Sequence, residues 1–297
     1  MEILILSRSR DAHFNRRMAE EGIRAGVPVH VLNPLELSLA PRFQGWKAGM
    51  ERISLCFLRT PPYKEEKDYF HTAARIVEIG GIKVVNPPSS AEISGNKLVT
   101  SAVLGHAGIP VLPSIGVRKT EHLDRGVEML GGFPVFLKTL HGTRGIGVIF
   151  CPCRETLHAC AQTLWAYSAN LMMEKYAGGS RGDTVRVLTF RGRAVGAVRC
   201  SARDDSQESD PIHELYRSNF SRGGLVEAFD PAGEPGEIAV KAAHAVGLHL
   251  AGVDLIQEEG KWKVLEINSS PGIRGIEEAS GINAAGDLMA AAVEWLS

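Results

Sequence analysis

Val253-Asp254-Leu255-Ile256 and Val264-Leu265-Glu266-Ile267-Asn268-Ser269-Ser270-Pro271-Gly272 decide how this chain reads. Each begins as a short apolar run of strand length, and the turn signal Glu258-Glu259-Gly260-Lys261 between them predicts a hairpin. Glu266 and Asn268 are two residues apart, so on a strand they share a face, and the hairpin brings Asp254 alongside. Oxygen ligands of this kind suit Mg²⁺, which leaves several positions to water and substrate phosphates. The plainer alternative is a hairpin with three solvated polar residues. The apolar context argues for the metal, because a buried carboxylate without a partner is costly and coordination removes that cost.

A second signal lies upstream. Phe136-Leu137-Lys138 ends a predicted strand and runs into His141-Gly142-Thr143-Arg144-Gly145-Ile146-Gly147-Val148. Glycines let backbone N–H groups approach phosphate oxygens without a Cβ in the way, and Lys138 adds a point charge. An ordinary glycine-rich turn is the reading such a loop takes alone; paired with the metal strands, it fits a cover over a polyphosphate. Lys97, in Gly95-Asn96-Lys97-Leu98, is a second phosphate candidate, against the plainer reading of a solvated helix lysine. Glu174-Lys175-Tyr176 closes an apolar strand where a base could meet backbone groups; a hinge without a ligand is its plainer reading. Tyr216-Arg217-Ser218-Asn219-Phe220-Ser221-Arg222-Gly223-Gly224 is dense in anion-recognising groups. Arg217 fits a developing negative charge and Asn219 a phosphate oxygen or a second Mg²⁺, with Arg186 of similar potential. A polar surface loop is the alternative.

The 297 residues, 44% of them hydrophobic, suffice for two or three lobes with their own cores. Lysine and arginine total 33 against 34 acids, so no global basic field exists to hold nucleic acid. The five cysteines form no paired framework, and Cys151-Pro152-Cys153 reads as strand-end residues in a reducing compartment rather than a metal or redox site. Glu2-Ile3-Leu4-Ile5-Leu6 opens as a strand rather than a signal peptide, and no apolar run reaches membrane-spanning length. A soluble, cytoplasmic protein is expected, with no membrane partner.

Strand and helix patterns alternate at the start: strands at Ile3–Leu6, Val29–Leu32, Ile53–Phe57 and Lys83–Val85, with helices near 15–25 and 66–79. No G-x-G-x-x-G follows the first strand. Asn86-Pro87-Pro88-Ser89-Ser90 reads as a linker. A helix around Lys97 and Leu104 follows, then strands at 111–114, 135–139 and 147–150 and a helix near 154–167. Beyond these come strands at 171–174, 185–190 and 194–199, a polar loop or lid from Ser201 to Asp210, and helices at 237–248 and 284–296. The expected fold class is α/β, in three regions: 1–90, 91–170 and 171–297.

Lys97, Lys138, the 142–147 loop, Asn219–Gly224, Asp254, Glu266, Asn268 and Ser269–Glu277 together resemble the ATP-grasp ligases, and within them the RimK family, whose members add glutamate to a carboxylate, typically on a ribosomal protein. The resemblance covers nearly the whole chain. It implies a three-lobed ATP-grasp fold, with a Rossmann-like pre-ATP-grasp domain first and ATP held between the two sheets of the grasp. It implies ATP and Mg²⁺, with Mn²⁺ as a substitute, and transfer of the γ-phosphoryl to a carboxylate, followed by attack of an amine. Asp183 joins Lys97, Lys138, the loop residues and Glu174–Tyr176 as a nucleotide contact. Arg59, Arg222, Gly223, Ser269, Ser270 and Arg274 become candidate substrate contacts, and a homodimer or homotetramer is implied.

Departures from the family pattern mark this chain. Thr184-Val185-Arg186 stands for the usual Asp-Ile-Arg, Cys200 for a basic residue, and Ile273-Arg274-Gly275 for Leu-Glu-Gly; Ser201–Tyr216 is long. Leu58-Arg59-Thr60-Pro61-Pro62-Tyr63 is similar to the Arg-x-x-Pro-Pro segment of bacterial glutathione synthetases, though one residue shorter. The expected activity is an ATP-dependent carboxylate–amine ligase adding an amino acid, with glutamate first. A glutathione-synthetase-like ligase of small peptides or cofactors, and a nucleotide-binding module without turnover, stay open as alternatives.

Overall fold

The computed structural model describes residues 1–37, 50–61, 64–142, 146–178, 183–201 and 225–297. Three sheets organise them. The first is parallel, in the order β2-β1-β3-β4, from β1 (Glu2–Leu6), β2 (Val29–Leu32), β3 (Ile53–Leu58) and β4 (Lys83–Val85). Its central strands are buried almost throughout, as parallel strands covered on both faces must be. Helices α1 (His13–Ala25) and α2 (Lys64–Ile79) supply that cover.

The segment expected as a linker is instead packed structure. Pro88 opens helix α3 (Pro88–Ser94), where its missing N–H costs nothing, and α4 (Lys97–His106) follows, capped by Asn96. The second sheet is antiparallel, in the order β5-β8-β6-β7: β5 (Ser114–Val117), β6 (Val135–Thr139), β7 (Val148–Cys151) and β8 (Leu171–Lys175). Helices α5 (Glu121–Met129) and α6 (Arg154–Ala166) bury one face through Leu123, Leu137, Leu157 and Met173. The strand expected at 111–114 begins only at Ser114, because Pro113 cannot donate to a ladder. Val111 bridges Val264 instead, and the Val264 N–H donates to the Pro110 carbonyl at 2.8 Å.

The third sheet is antiparallel, β11-β10-β9-β12-β13: β9 (Thr184–Phe190), β10 (Arg193–Ser201), β11 (Leu225–Phe229), β12 (Leu250–Glu258) and β13 (Lys261–Asn268). Helix α7 (Glu234–Val246) packs on the face of Val185, Val187, Val253 and Leu255. It starts three residues before the expected position, with Pro235 in its first turn, and stops at Gly247, which takes the left-handed φ of 76°. On the opposite face, Leu188 and Phe190 meet α8 (Arg274–Ser280) and α9 (Ala284–Leu296), and α9 also packs on the first sheet. Helices α5 and α8 and strand β11 have no counterpart in the sequence reading. The loop expected from Ser201 to Asp210 lies, past Ser201, outside the described residues. Among those described, no helix is long and apolar enough to cross a membrane.

Asn86 ties the first sheet to the third. It is 1% exposed and all its polar valences are used. Its amide donates to the carbonyls of Leu250 and Ser269, both at 2.7 Å, and its Oδ1 accepts from the N–H groups of His249 and Leu250 at 2.7 and 2.9 Å. Losing these bonds strands backbone groups in a dry place. Asn86→Ala is expected to cost about 3 kcal/mol, read as a lower denaturation midpoint in urea. A loss below about 0.5 kcal/mol would show that water replaces the amide.

Candidate active site

The third sheet sets two carboxylates face to face. Asp254 on β12 is the register partner of Glu266 on β13, and of Arg186 on β9. Leu265 is the extra residue of a bulge just beside them, a device that re-aims neighbouring side chains. Like charges directly opposite repel, so each carboxylate is held by a cation. Arg186 grips Asp254 through both of its oxygens, at 2.6 Å each. Lys97 Nζ lies 2.9 Å from Glu266 Oε1 and donates to the Gly142 carbonyl at 3.3 Å. Asp254 raises the Arg186 pKa further, against the opposing effect of burial. Burial pushes Glu266 upward, but Lys97, Arg186 and Lys138 outweigh it and keep the carboxyl below its ordinary value. Asn268 pairs with Gly252 across the hairpin, and its Oδ1 accepts from the Ser270 N–H at 2.8 Å. A Cβ on Gly252 would come within 2.9 Å of the Pro271 side chain, so glycine is needed for the loop to cross there.

Among the described residues no three or more His, Cys, Asp and Glu side chains form a metal-holding group. Asp254 and Glu266 are two carboxylates, and the Asn268 amide oxygen could be a neutral third donor. That is an oxygen set of the kind Mg²⁺ accepts alongside water and phosphate.

The second sheet turns a different surface toward this row. Lys138 pairs with Glu174 in a contact buried on both sides. Beside them Phe136, Phe150 and Tyr176 form a trio with ring centroids 5.4 to 5.7 Å apart. A cleft lies between the sheets, lined by Lys97, Val111, Leu112, Met172, Glu174, Leu265 and Glu266. Its mixture of apolar walls with a few charged groups is the lining that small-ligand clefts have. Lys175, expected beside a base, sends its ammonium 2.9 Å from Glu258 Oε1, and Lys263 takes the other oxygen. Asp183, half-buried, precedes β9.

The glycine loop springs from β6. Gly147 has a φ of 79°, and a Cβ there would lie 2.2 Å from the Thr139 hydroxyl; one on Gly142 would lie 2.7 Å from the Ile146 carbonyl. The stem is therefore too tight for side chains at either glycine. Ile146, beside it, is 67% exposed. The stem is moored to α4, since the Lys97 N–H donates to the Leu140 carbonyl at 3.1 Å.

A second hollow opens beside the carboxylate row, lined by Arg186, Val198, Cys200, Gly272 and Arg274. Burial pushes the Cys200 thiol up to about 11, against the pull of Arg186, so it stays protonated at neutral pH. Arg274, largely exposed, lies 3.6 Å from Glu278. Behind the hollow, Arg59 donates to the carbonyls of Pro271 at 2.7 Å and Ser270 at 3.3 Å, and Asn86 holds that of Ser269. Of the expected residues, Lys97, Glu174 and Glu266 line the cleft; Arg186, Asp254 and Asn268 adjoin Glu266 on the third sheet, and Lys138 adjoins Glu174 on the second, with Tyr176 at the aromatic trio. Thr143, Arg144, Gly145, Arg217, Asn219, Arg222 and Gly223 lie outside the described residues. Asn86, Thr139, Glu258 and Lys263 were not expected at the site; of these only Asn86, a polar residue abutting a buried strand and two prolines, left a trace in the sequence.

The family model of the RimK-like ATP-grasp domain matches residues 94–292. A protein of Psychromonas ingrahamii named probable alpha-L-glutamate ligase is 30% identical over 96% of this chain and 93% of its own. Two solved structures share the fold. The ATP-grasp ligase PsnB, complexed with a phosphomimetic variant of its minimal precursor, Mg and ADP, has a TM-score of 0.73 at 20% identity, covering 100% of this chain and 99% of that one. The RimK domain protein ATP-grasp from Sphaerobacter thermophilus has a TM-score of 0.73 at 17% identity, covering 98% of each.

Glu258 joins the end of β8 to the β12–β13 hairpin, and so one wall of the cleft to the other. Lys263, chiefly, and Lys175 hold its carboxyl below the ordinary value near 4.5, against burial. The unfolded chain therefore takes up this proton first as pH falls. The stabilisation is complete above pH 4.5 and is lost as pH drops through the lowered folded value. Glu258→Gln is expected to cost roughly 2 kcal/mol at pH 7 and to flatten the acid limb of the stability curve in that window. An unchanged acid limb would mean that Glu258 is not what titrates there.

Proposed function

The chain belongs to the RimK-like ATP-grasp family and is an ATP-dependent, ADP-forming carbon–nitrogen ligase, and from that membership we propose that it joins the amine of L-glutamate to a carboxylate through an acyl phosphate. The observation that carries the reading is the Asp254–Glu266 pair, neutralised by Arg186 and Lys97, with Glu266 and Lys97 lining a cleft that Glu174, the partner of Lys138, lines as well. The name of the Psychromonas relative supports glutamate, and the Mg and ADP held by PsnB support Mg²⁺ with ATP. The comparisons favour neither a small-peptide or cofactor ligase nor a module without turnover.

In this reading Asp254, Glu266 and Asn268 hold Mg²⁺, with Mn²⁺ as a substitute. The metal, when bound, neutralises phosphate charge and polarises the oxygens of the transferred group. Lys97 and Arg186, no longer needed by the carboxylates, turn to phosphate oxygens. Lys138 reaches the phosphates from the other wall, and residues 142–147 (Gly142, Thr143, Arg144, Gly145, Ile146, Gly147) close over them. The Glu174-Lys175-Tyr176 backbone reads the adenine beside the aromatic trio, with Asp183 near the nucleotide. An oxygen of the acceptor carboxylate attacks the γ-phosphorus and ADP leaves. The glutamate amine then attacks the acyl carbon, the C–O bond to phosphate breaks, and phosphate departs while the amine gives up a proton.

Arg186, Arg217 and Asn219 neutralise the developing charge, so catalysis rests on positioning and electrostatics rather than on a protein nucleophile. Arg222, Gly223, Ser269, Ser270 and Arg274 are the substrate contacts, with Arg59 behind them. A homo-oligomeric assembly belongs to the same proposal.

The test is ADP release by the purified chain with ATP, Mg²⁺ and L-glutamate against a panel of carboxylate acceptors, with mass spectrometry of the product. Expected are ADP formation that needs both substrates and a product heavier by one glutamyl residue. Glu266→Gln is expected to lower turnover about a hundredfold or more while leaving the fold intact. ADP release indifferent to the amine would sink the proposal, and near-normal turnover of the variant would remove Glu266 from the metal shell.

A further inference from the structure

The hollow beside the carboxylate row has two sides of different make. One is a face of the third sheet. Val198 and Cys200 are two apart on β10, so they share a face, and Arg186 on β9 is the register partner of Val198. The other side is the chain that leaves β13, with Gly272, Arg274, Gly275 and Ile276 at the start of α8. The sheet row runs Val198, Arg186, Asp254, Glu266 across four strands. Neighbouring strands lie about 4.8 Å apart, so the hollow begins one strand from Asp254, within the length of an amino-acid side chain.

The charges of the hollow are uneven. Arg186 spends its fork on Asp254, so that pair is matched. Val198 and Ile276 are apolar, Cys200 carries a neutral thiol, and no carboxylate lines the hollow among the described residues. Arg274 stands at the rim, its side chain 54% exposed, with Glu278 one turn along the helix at 3.6 Å. An exposed pair of that kind contributes little, so the guanidinium can turn to a better-placed anion.

There is room for one. Gly272 has a φ that any residue adopts, and a Cβ there would meet nothing within 4 Å. Neither strain nor crowding requires glycine at this position; its effect is to leave the hollow open. An apolar trough with one available cation at its rim selects a short chain of methylenes that ends in an anion. A planar guanidinium takes a carboxylate through two bonds, which a neutral amide of the same shape does not offer. The sequence departs from the family pattern at both Cys200 and Arg274, so this selection belongs to the chain itself.

We propose that Arg274 is the specificity-determining residue for the amino-acid substrate, taking the carboxylate at the end of its side chain, with the methylenes laid along Val198 and Ile276 in the space that Gly272 keeps open. That the occupant is the amino-acid substrate rests on the ligase reading above; that it carries an anionic side chain rests on the hollow. L-Glutamate has such a side chain, and L-glutamine is its neutral isostere.

Calorimetric titration of the full chain in saturating Mg-ADP, with L-glutamate and separately with L-glutamine, tests this. Expected is L-glutamate binding at least ~10-fold tighter than L-glutamine. Arg274→Gln should weaken L-glutamate by ~10-fold or more and leave L-glutamine within ~3-fold, which erases the preference. Glu278→Gln removes only the neighbour of Arg274 and should keep the preference. A merely structural Arg274 would shift both ligands together or neither. Gly272→Leu fills the hollow and should weaken both ligands by ~10-fold or more. Both positions are open, so the variants are expected to fold, and an unchanged Mg-ADP affinity checks that they do. The proposal is overturned if the wild-type chain binds L-glutamate no better than L-glutamine, if Arg274→Gln keeps the preference, or if Gly272→Leu binds L-glutamate as the wild type does. The ligase reading fails separately. No ADP release with any substrate pair would end it while an Arg274-dependent preference still stood, and glutamate-dependent ADP release undisturbed by Arg274→Gln would end this inference alone.

Discussion

Two carboxylates directly across a hairpin, on a partly buried sheet face, are the constraint from which the rest of the site follows. Asp254 and Glu266 repel, and the sheet cannot separate them without breaking the register that β9, β12 and β13 share. The chain meets the repulsion with two cations of different reach. Arg186 comes from the adjacent strand and fits both oxygens of Asp254, which a planar fork does better than an ammonium. Lys97 comes from outside the sheet, at the start of α4, and its long stem also reaches the glycine loop. In the proposed reading the two cations that hold the carboxylates are also the ones offered to the triphosphate, so the cost of folding around acids is offset by groups that the chemistry would use.

The three sheets are separate, and a few directional ties help to set how they sit against one another. On one side, Pro110 and Val111 meet Val264, and Lys175 meets Glu258. On the other, Asn86 and Arg59 from the first sheet hold the loop that leaves Asn268. These ties add to apolar packing, in which Phe57 meets Phe190 and Leu112 and Ala177 meet Ile256. Hydrogen-bonded ties are directional, so they fix an orientation that hydrophobic packing alone would leave loose.

Much of this was legible in the sequence where local pattern and tertiary demand agree. The apolar runs at Val135–Thr139 and Ala284–Leu296 kept the boundaries their composition suggested, and the two hairpin strands formed where expected but longer, Leu250–Glu258 and Lys261–Asn268. The family resemblance on the lysines, the glycine loop and the hairpin is upheld by the family match. What escaped were short or exposed elements. Helix α8 has seven residues and contains Gly275, and β11 is an edge strand mostly open to solvent, so neither shows a clean period. Pro87-Pro88 masked a helix start as a linker, because the same residues serve both. The hollow that joins Cys200 to Arg274 could not be read at all, since positions so far apart in the chain meet only after folding.

The loop past Asn268 is gripped at three consecutive backbone carbonyls, those of Ser269, Ser270 and Pro271, by side chains from the first sheet. Every residue type offers that carbonyl, so the grip is indifferent to what the loop's own side chains are. If Ser269 and Ser270 meet the substrate as proposed, mutational drift there would retune which molecule is met while the backbone trace persists. In this fold, evolvability is built into the anchoring: recognition is free to diverge because the anchor ignores side-chain identity.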